Sequence, residues 1–245
     1  MNLMYELLQK NKKVHFSLID PDTQDPKKAG QIAKVCEDYG TNAIMVGGST
    51  IKNRKMMYDT VETIKNNVKL PVILFPNSAD SISENLDYIF FMMLVNSKEM
   101  KYITGEQFKG APLVKKWGIK PISMGYIIIS TSKTPTTVEQ SVKLDKISFS
   151  DIEKAVDYAC RVELLGMSCV YLDAGSGADK PVSNEMITAI DNSIDIPIII
   201  GGGIRDGATA KEKIDAGADA IVTGTVIEKN MENIEDIIKK IHTSA

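Results

Sequence analysis

Apolar residues in this chain gather in short unbroken runs, and those runs alternate with longer stretches in which apolar positions recur every three or four residues. The runs are "VHFSLID" (14–20), "NAIMVGGS" (42–49), "PVILFPN" (71–77), "YIFFMMLV" (88–95), "PISMGYIIIS" (121–130), "CVYLDAG" (169–175), "IPIIIGGG" (196–203) and "DAIVTGT" (219–225). Continuous apolar character over four to eight residues fits strands covered on both faces. Between them, "KKAGQIAKVCEDYG", "RKMMYDTVETIKNNV", "DIEKAVDYACRVELLG", "NEMITAIDNSI" and "DGATAKEKIDAG" carry the period of amphipathic crossover helices. Eight strand-then-helix units in one chain predict a single closed (β/α)₈ barrel over residues 1–245; an open doubly wound sheet is the structural alternative.

Two connections break the rhythm. Only "SADSISENLD" separates the third strand from the fourth, too short and too polar for a covering helix, so the barrel wall is expected to be thin there. After the fifth strand comes the long "TSKTPTTVEQSVKLDKISFS", and a connection of that length on the strand-end rim reads as a lid or binding loop. Residues 132–150 are the candidate cover.

Composition narrows the function. The 29 basic and 32 acidic residues are interspersed and leave a formal charge of -3, which disfavours a nucleic-acid binder. The only arginines are Arg54, Arg161 and Arg205. Three cysteines, Cys36, Cys160 and Cys169, form no CxxC pair, which argues against a disulfide framework and fits a reducing cytoplasm. The N-terminal segment lacks a signal-peptide cleavage pattern, and no apolar run reaches the ~20 residues that span a bilayer.

Candidate chemistry collects where strands end. "GGGIRDG" after the seventh strand and "TGTVIEKN" after the eighth offer backbone N–H groups at two adjacent ends, the place where such barrels bind phosphate. This predicts an anion site from Gly202, Gly203, Gly224 and Thr225, with the N–H of Ile204 as an extra donor; each glycine alone could equally make a tight turn. The first and second strands end in Asp20, Ser49 and Thr50, hard oxygen donors suited to Mg²⁺. Asp22 or Asp25 reads instead as a helix cap. The sixth strand ends with Tyr171 and Asp173 in the same parity, followed by Gly175, Ser176 and Gly177. Asp173 is a candidate general base or orienting group for a polyol hydroxyl, or simply an acid that stabilises its loop. His15 and His242 are isolated, and a histidine triad is not expected. "FFMM" (90–93) and Trp117 read as core, although apolar surface beside a missing helix could also line a hydrocarbon tunnel.

The motifs "SLIDPD", "VGGS", "LVNS", "GYIII", "YLDAGSGADKPV", "IIGGGIRD" and "GADAIVTGTVIE", in this order along nearly the whole chain, resemble the geranylgeranylglyceryl phosphate synthase family. The resemblance implies a modified TIM barrel with the third helix shortened or missing. It implies transfer of a geranylgeranyl group from its diphosphate to sn-glycerol 1-phosphate, the first ether bond of archaeal membrane lipids. Mg²⁺ would be held by Asp20 and Ser49. Glycerol phosphate would meet Tyr171, Leu172, Asp173, Ala174, Gly175, Ser176 and Gly177, together with Gly202, Gly203, Gly224 and Thr225. Homo-oligomers, dimers or hexamers, are implied as well, with the product passed to the membrane. Many relatives carry Glu at the position of Asp173. A bacterial branch has Lys where this chain has Leu18, a loss that Lys180 or Arg205 would have to cover. Remaining alternatives are a longer-chain (heptaprenyl) transferase, a phosphate-sugar isomerase or lyase, and a non-catalytic phosphometabolite-binding barrel.

Overall fold

In the computed structural model, which describes residues 3–48, 54–229 and 231–243, all eight expected strands form and pair in parallel, each with the next in sequence. They are β1 (Val14–Ile19), β2 (Ala43–Val46), β3 (Val72–Leu74), β4 (Tyr88–Leu94), β5 (Lys120–Ile128), β6 (Cys169–Asp173), β7 (Ile198–Gly201) and β8 (Ala220–Thr223). β8 closes on β1 in the register Val14↔Ala220 to Ser17↔Thr223, so the sheet has no free edge. In chain order the helices are α1 (Leu3–Asn11), α2 (Pro26–Asp38), α3 (Arg54–Asn67), α4 (Glu106–Trp117), α5 (Thr137–Ser141), α6 (Ile152–Leu164), α7 (Asn184–Asp191), α8 (Gly207–Asp215), α9 (Thr225–Lys229) and α10 (Met231–Thr243).

Strand parity divides the apolar residues into two layers. Phe16, Met45, Ile73, Phe90, Met124 and Ile199 pack inside the barrel, while Ile44, Leu74, Ile89, Ile127, Leu172 and Ile200 face the helices. The inner layer also contains Leu3, Met4 and Leu7 of α1, which therefore seals the end where the strands begin. Asp25 accepts the Lys28 N–H at 3.0 Å, and Pro26 occupies the first turn, so α2 starts where the proposed cap placed it.

The thin wall is real: β3 reaches β4 through a single 3₁₀ turn, Ala79–Ser81, in place of a helix. The long connection after β5 is pinned. Thr131 Oγ1 donates to the Lys180 carbonyl at 2.6 Å, Asp179 N–H donates to Ser132 Oγ at 2.8 Å, and Glu139 accepts from Ser130, Thr136 N–H and Thr136 Oγ1. α5 is thereby fixed against the barrel rim as a wall. His15 is a core residue, its ring 2.8 Å from Thr41 Oγ1 and 2.9 Å from Thr223 Oγ1; burial first, and His242 second, push its pKa down to about 3, so it stays neutral. Among the described residues, no helix is long and apolar enough to cross a membrane.

On α1, Met4 is 1% exposed, whereas Gln9 faces solvent. Truncating a buried Met leaves a cavity worth about 2–5 kcal/mol. Met4→Ala should therefore lower the unfolding free energy from urea titration by that amount, while Gln9→Ala should change it by under about 0.5 kcal/mol. Equal effects would show that α1 does not seal the barrel.

Candidate active site

The C-terminal strand ends surround one cavity of about 880 Å³. It borders Asp20 after β1, Asp173 at the end of β6, and the glycine-bearing turns after β6, β7 and β8. At the other end it runs along Ile82, Ile89, Phe91 and Gly110. Because Ile89 and Phe91 lie in the helix-facing layer, the cavity passes through the barrel wall where the helix is missing. A π-helical turn, Lys101–Gly105, leads into α4 and contributes Lys101 and Tyr102 to this arm.

Asp173 is 8% exposed, and each carboxylate oxygen is engaged. Tyr126 donates its hydroxyl to Oδ2 at 2.6 Å, and Gly175 donates its N–H to Oδ1 at 2.8 Å. The loop-stabilising reading of this acid is thus correct, and the same carboxylate faces the cavity. Burial raises its pKa, against the two hydrogen bonds, which lower it; burial wins. Burial, then the Asp173 charge, pushes Tyr126 well above its usual value, so it keeps its proton and remains a donor. Phe75 stands edge-on to Tyr126, with ring centres 5.4 Å apart, and Tyr171 packs on both rings. This aromatic group floors the pocket.

The anion-type turns also come together. Ser176 Oγ lies 3.2 Å from Thr225 Oγ1, joining the β6 and β8 loops. Gly202 has φ +78°, and a Cβ there would press on Asp173 Oδ1 and the Gly175 backbone, so only glycine permits this approach. Gly175, Gly177, Gly202, Gly203, Gly224 and Thr225 all border the cavity, as does Ile204. Leu172 and Ala174 do not: their alternate parity buries both side chains in the outer layer, and the Ala174 N–H is used by the Gly201 carbonyl. Their expected part in the site is corrected to a backbone one at most.

Asp20 is aimed by the Asp22 N–H, which donates to its Oδ1 at 2.9 Å. Its carboxylate lies directly over Gly48, where any Cβ would collide with it. A hard carboxylate at the cavity edge is a donor of the kind a hydrated Mg²⁺ ion takes. Ser49 and Thr50 lie outside the described residues. Leu18 borders the cavity beside Gly224, and of the two expected substitutes for a lysine only Arg205 reaches it. Arg205 is already bonded to the Ala178 and Asp179 carbonyls, at 2.5 and 3.2 Å, while Lys180 stacks on Phe149. Trp117 packs in the outer core under Arg54, and of "FFMM" Phe90, Phe91 and Met92 border the cavity, Phe90 as a buried member of the inner core.

Sequence reasoning missed Tyr126 and Asn96, although both sit inside motifs it used. Asn96 is fully buried; it donates to the Ile128 and Asp145 carbonyls and accepts the Ile128 N–H, tying the ends of β4 and β5 to the loop that carries α5. For Asn96 the visible signal was a polar residue terminating an apolar run.

The family model described as the PcrB family matches residues 6–244. The chain belongs to that family. Among its PcrB relatives, geranylgeranylglyceryl phosphate synthase of Pyrococcus horikoshii is 47% identical over 97% of this chain and 92% of its own length. The Thermoplasma volcanium synthase is 40% identical over 98% and 95%. The solved structure of (S)-3-O-geranylgeranylglyceryl phosphate synthase from Thermoplasma acidophilum, in complex with substrate sn-glycerol-1-phosphate, superposes with a TM-score of 0.93 at 36% identity and 99% coverage of each chain. The PcrB barrel thus keeps its shape at this divergence. At 15% identity and a TM-score of 0.59, a thiamine phosphate pyrophosphorylase from Pyrococcus furiosus shares the fold alone.

The raised pKa of Asp173 has a sign for stability. The folded state favours the neutral acid, so its contribution is fully present below the ordinary carboxylate pKa of ~3.9 and is lost as pH rises through the folded value. Asp173→Asn should therefore gain stability relative to the parent as pH rises above the ordinary carboxylate pKa of ~3.9, followed by urea unfolding. A difference independent of pH would show that burial does not dominate there.

Proposed function

We propose that this protein is a Mg²⁺-dependent prenyltransferase that joins the geranylgeranyl group of geranylgeranyl diphosphate to the 3-hydroxyl of sn-glycerol 1-phosphate. The observation that carries this reading is the shape of the cavity at the C-terminal strand ends. A polar end with a buried carboxylate and glycine turns continues into an apolar arm, as a polyol phosphate acceptor and a hydrocarbon donor require. A sugar-phosphate isomerase or a simple phosphate receptor has no use for the arm. The relatives' shared name and the substrate in the Thermoplasma acidophilum complex support the same assignment. The cysteine usage fits a cytoplasmic enzyme, and the family resemblance supports a homo-oligomer, dimer or hexamer.

Asp20 would hold Mg²⁺, with Ser49 as the second ligand that the resemblance implies. The ion, when bound, supplies charge neutralisation to the departing diphosphate. The protein does the rest by placement. Backbone N–H groups of the turns bearing Gly202, Gly203 and Gly224, with Ser176 and Thr225, take the acceptor's phosphate and fix its hydroxyl. The hydroxyl oxygen forms a bond to the allylic carbon as the carbon–diphosphate bond breaks, the bonding pair leaving with the diphosphate. The hydroxyl proton passes to Asp173, whose burial gives it a greater proton affinity than a solvated carboxylate. Tyr126 holds that carboxylate in place, and the aromatic floor and the α5 wall exclude water that would capture the same electrophile.

Asp173→Asn should reduce kcat by about 10²–10⁴-fold with a smaller change in the KM for glycerol phosphate. Near-normal turnover would remove Asp173 as the base. Asp20→Ala should require far more Mg²⁺ for half-maximal rate in a metal titration; an unchanged response would remove Asp20 as a ligand.

A further inference from the structure

We propose that the outer face of α4 and the turn before it form a docking surface for an anionic lipid bilayer. The inner face of this segment is a wall of the apolar arm, through Lys101, Tyr102, Gln107 and Gly110. Its outer face carries Phe108 at 84% and Met100 at 66% exposure, unusual values for side chains of this size. Phe108, Pro112, Lys115 and Lys116 are spaced i, i+4, i+7 and i+8, which puts them on one side of the helix, and all four are exposed.

Charge selects the occupant. From Lys98 to Lys120 the chain has six lysines against two glutamates, in a protein whose net formal charge is -3. Lys109 pairs with Glu106 and Lys98 with Asp145, yet Lys115 and Lys116 make no ion pair among the described residues. An aromatic side chain between unpaired lysines matches a membrane interface, where the ring enters the headgroup layer and the ammonium groups meet anionic lipid. A second copy of the chain would bring the same positive charge against this one. The surface also makes chemical sense on the prenyl-transfer reading, on which this inference rests for its purpose: a C20 donor or its ether product would travel between bilayer and arm past a single helix.

The test is flotation of the full-length protein with vesicles of phosphatidylglycerol and phosphatidylcholine in equal parts, against vesicles of phosphatidylcholine alone. Binding to the anionic vesicles, weakened by 0.5 M salt, is expected. Each lysine at such a surface is worth about a fivefold change in partitioning, so Lys115→Gln with Lys116→Gln should weaken binding about 25-fold. Phe108→Ser should weaken it independently, while Lys27→Gln with Lys28→Gln on α2 should leave it within a fewfold. Circular dichroism checks that each variant folds. No preference for anionic vesicles, or equal losses from the α2 pair, would overturn the proposal. So would a change in solution mass of the Phe108 variant by light scattering, because a second copy would then be the occupant. Prenyl transfer measured in detergent reads the other hypothesis separately. Transfer without vesicle binding sinks the docking surface alone, whereas vesicle binding without transfer sinks the enzyme assignment and leaves the surface standing.

Discussion

A parallel sheet can satisfy all its backbone groups only by covering its edges or abolishing them, and here β8 abolishes them by pairing with β1. Everything functional follows from that closure. Eight parallel strands all end on the same rim, so acids and glycines distant in sequence are forced around one opening. Asp20 and Asp173 are separated by most of the chain and share one cavity. The opposite rim has the converse problem, a hydrophobic interior open to water, and α1 meets it with Leu3, Met4 and Leu7.

Closure fixes the strands but not the outer layer, and the protein uses that freedom once. With a 3₁₀ turn between β3 and β4 in place of a helix, the outward faces of Ile89 and Phe91 have no helix above them and instead line the arm. A long apolar ligand can then reach beyond the barrel mouth, along the inner side of α4. The Glu106 carboxylate accepts the Ala79 N–H at 2.8 Å, which ties α4 to the short turn and keeps the gap at a set width. The modification that looks like a loss of structure is a gain of volume.

The barrel was legible because its strands are unbroken apolar runs and five of its helices are cleanly amphipathic. The missing helix was legible because "SADSISENLD" is too short for any other solution. α4 escaped notice because Gly110 and Pro112 interrupt its pattern; Gly110 is small where Ile82 approaches, and Pro112 lies on the exposed side. α1 escaped because its few apolar positions are followed by lysines and resemble a frayed terminus. At the site, parity placed Tyr171 with Asp173 correctly and should also have turned Leu172 and Ala174 away. Tyr126 could not be deduced: its partner is 47 residues away, and only the β5–β6 register, Tyr126↔Tyr171 and Ile128↔Asp173, brings them together.

The Asp173 carboxylate shows how such a site balances opposing demands. Complete desolvation would keep the acid protonated and useless as a base, whereas full hydrogen bonding would make it a carboxylate too weak to take a proton. Two donors, one hydroxyl and one backbone N–H, leave further lone pairs on both oxygens, and burial outweighs the two bonds. The balance also depends on Tyr126 remaining a donor, which its own burial and the adjacent negative charge ensure. A shorter acid than the Glu that the family resemblance implies is then coherent. With Gly202 and Gly175 pressed against Asp173 Oδ1, an added methylene would have to displace a backbone that itself lines the pocket.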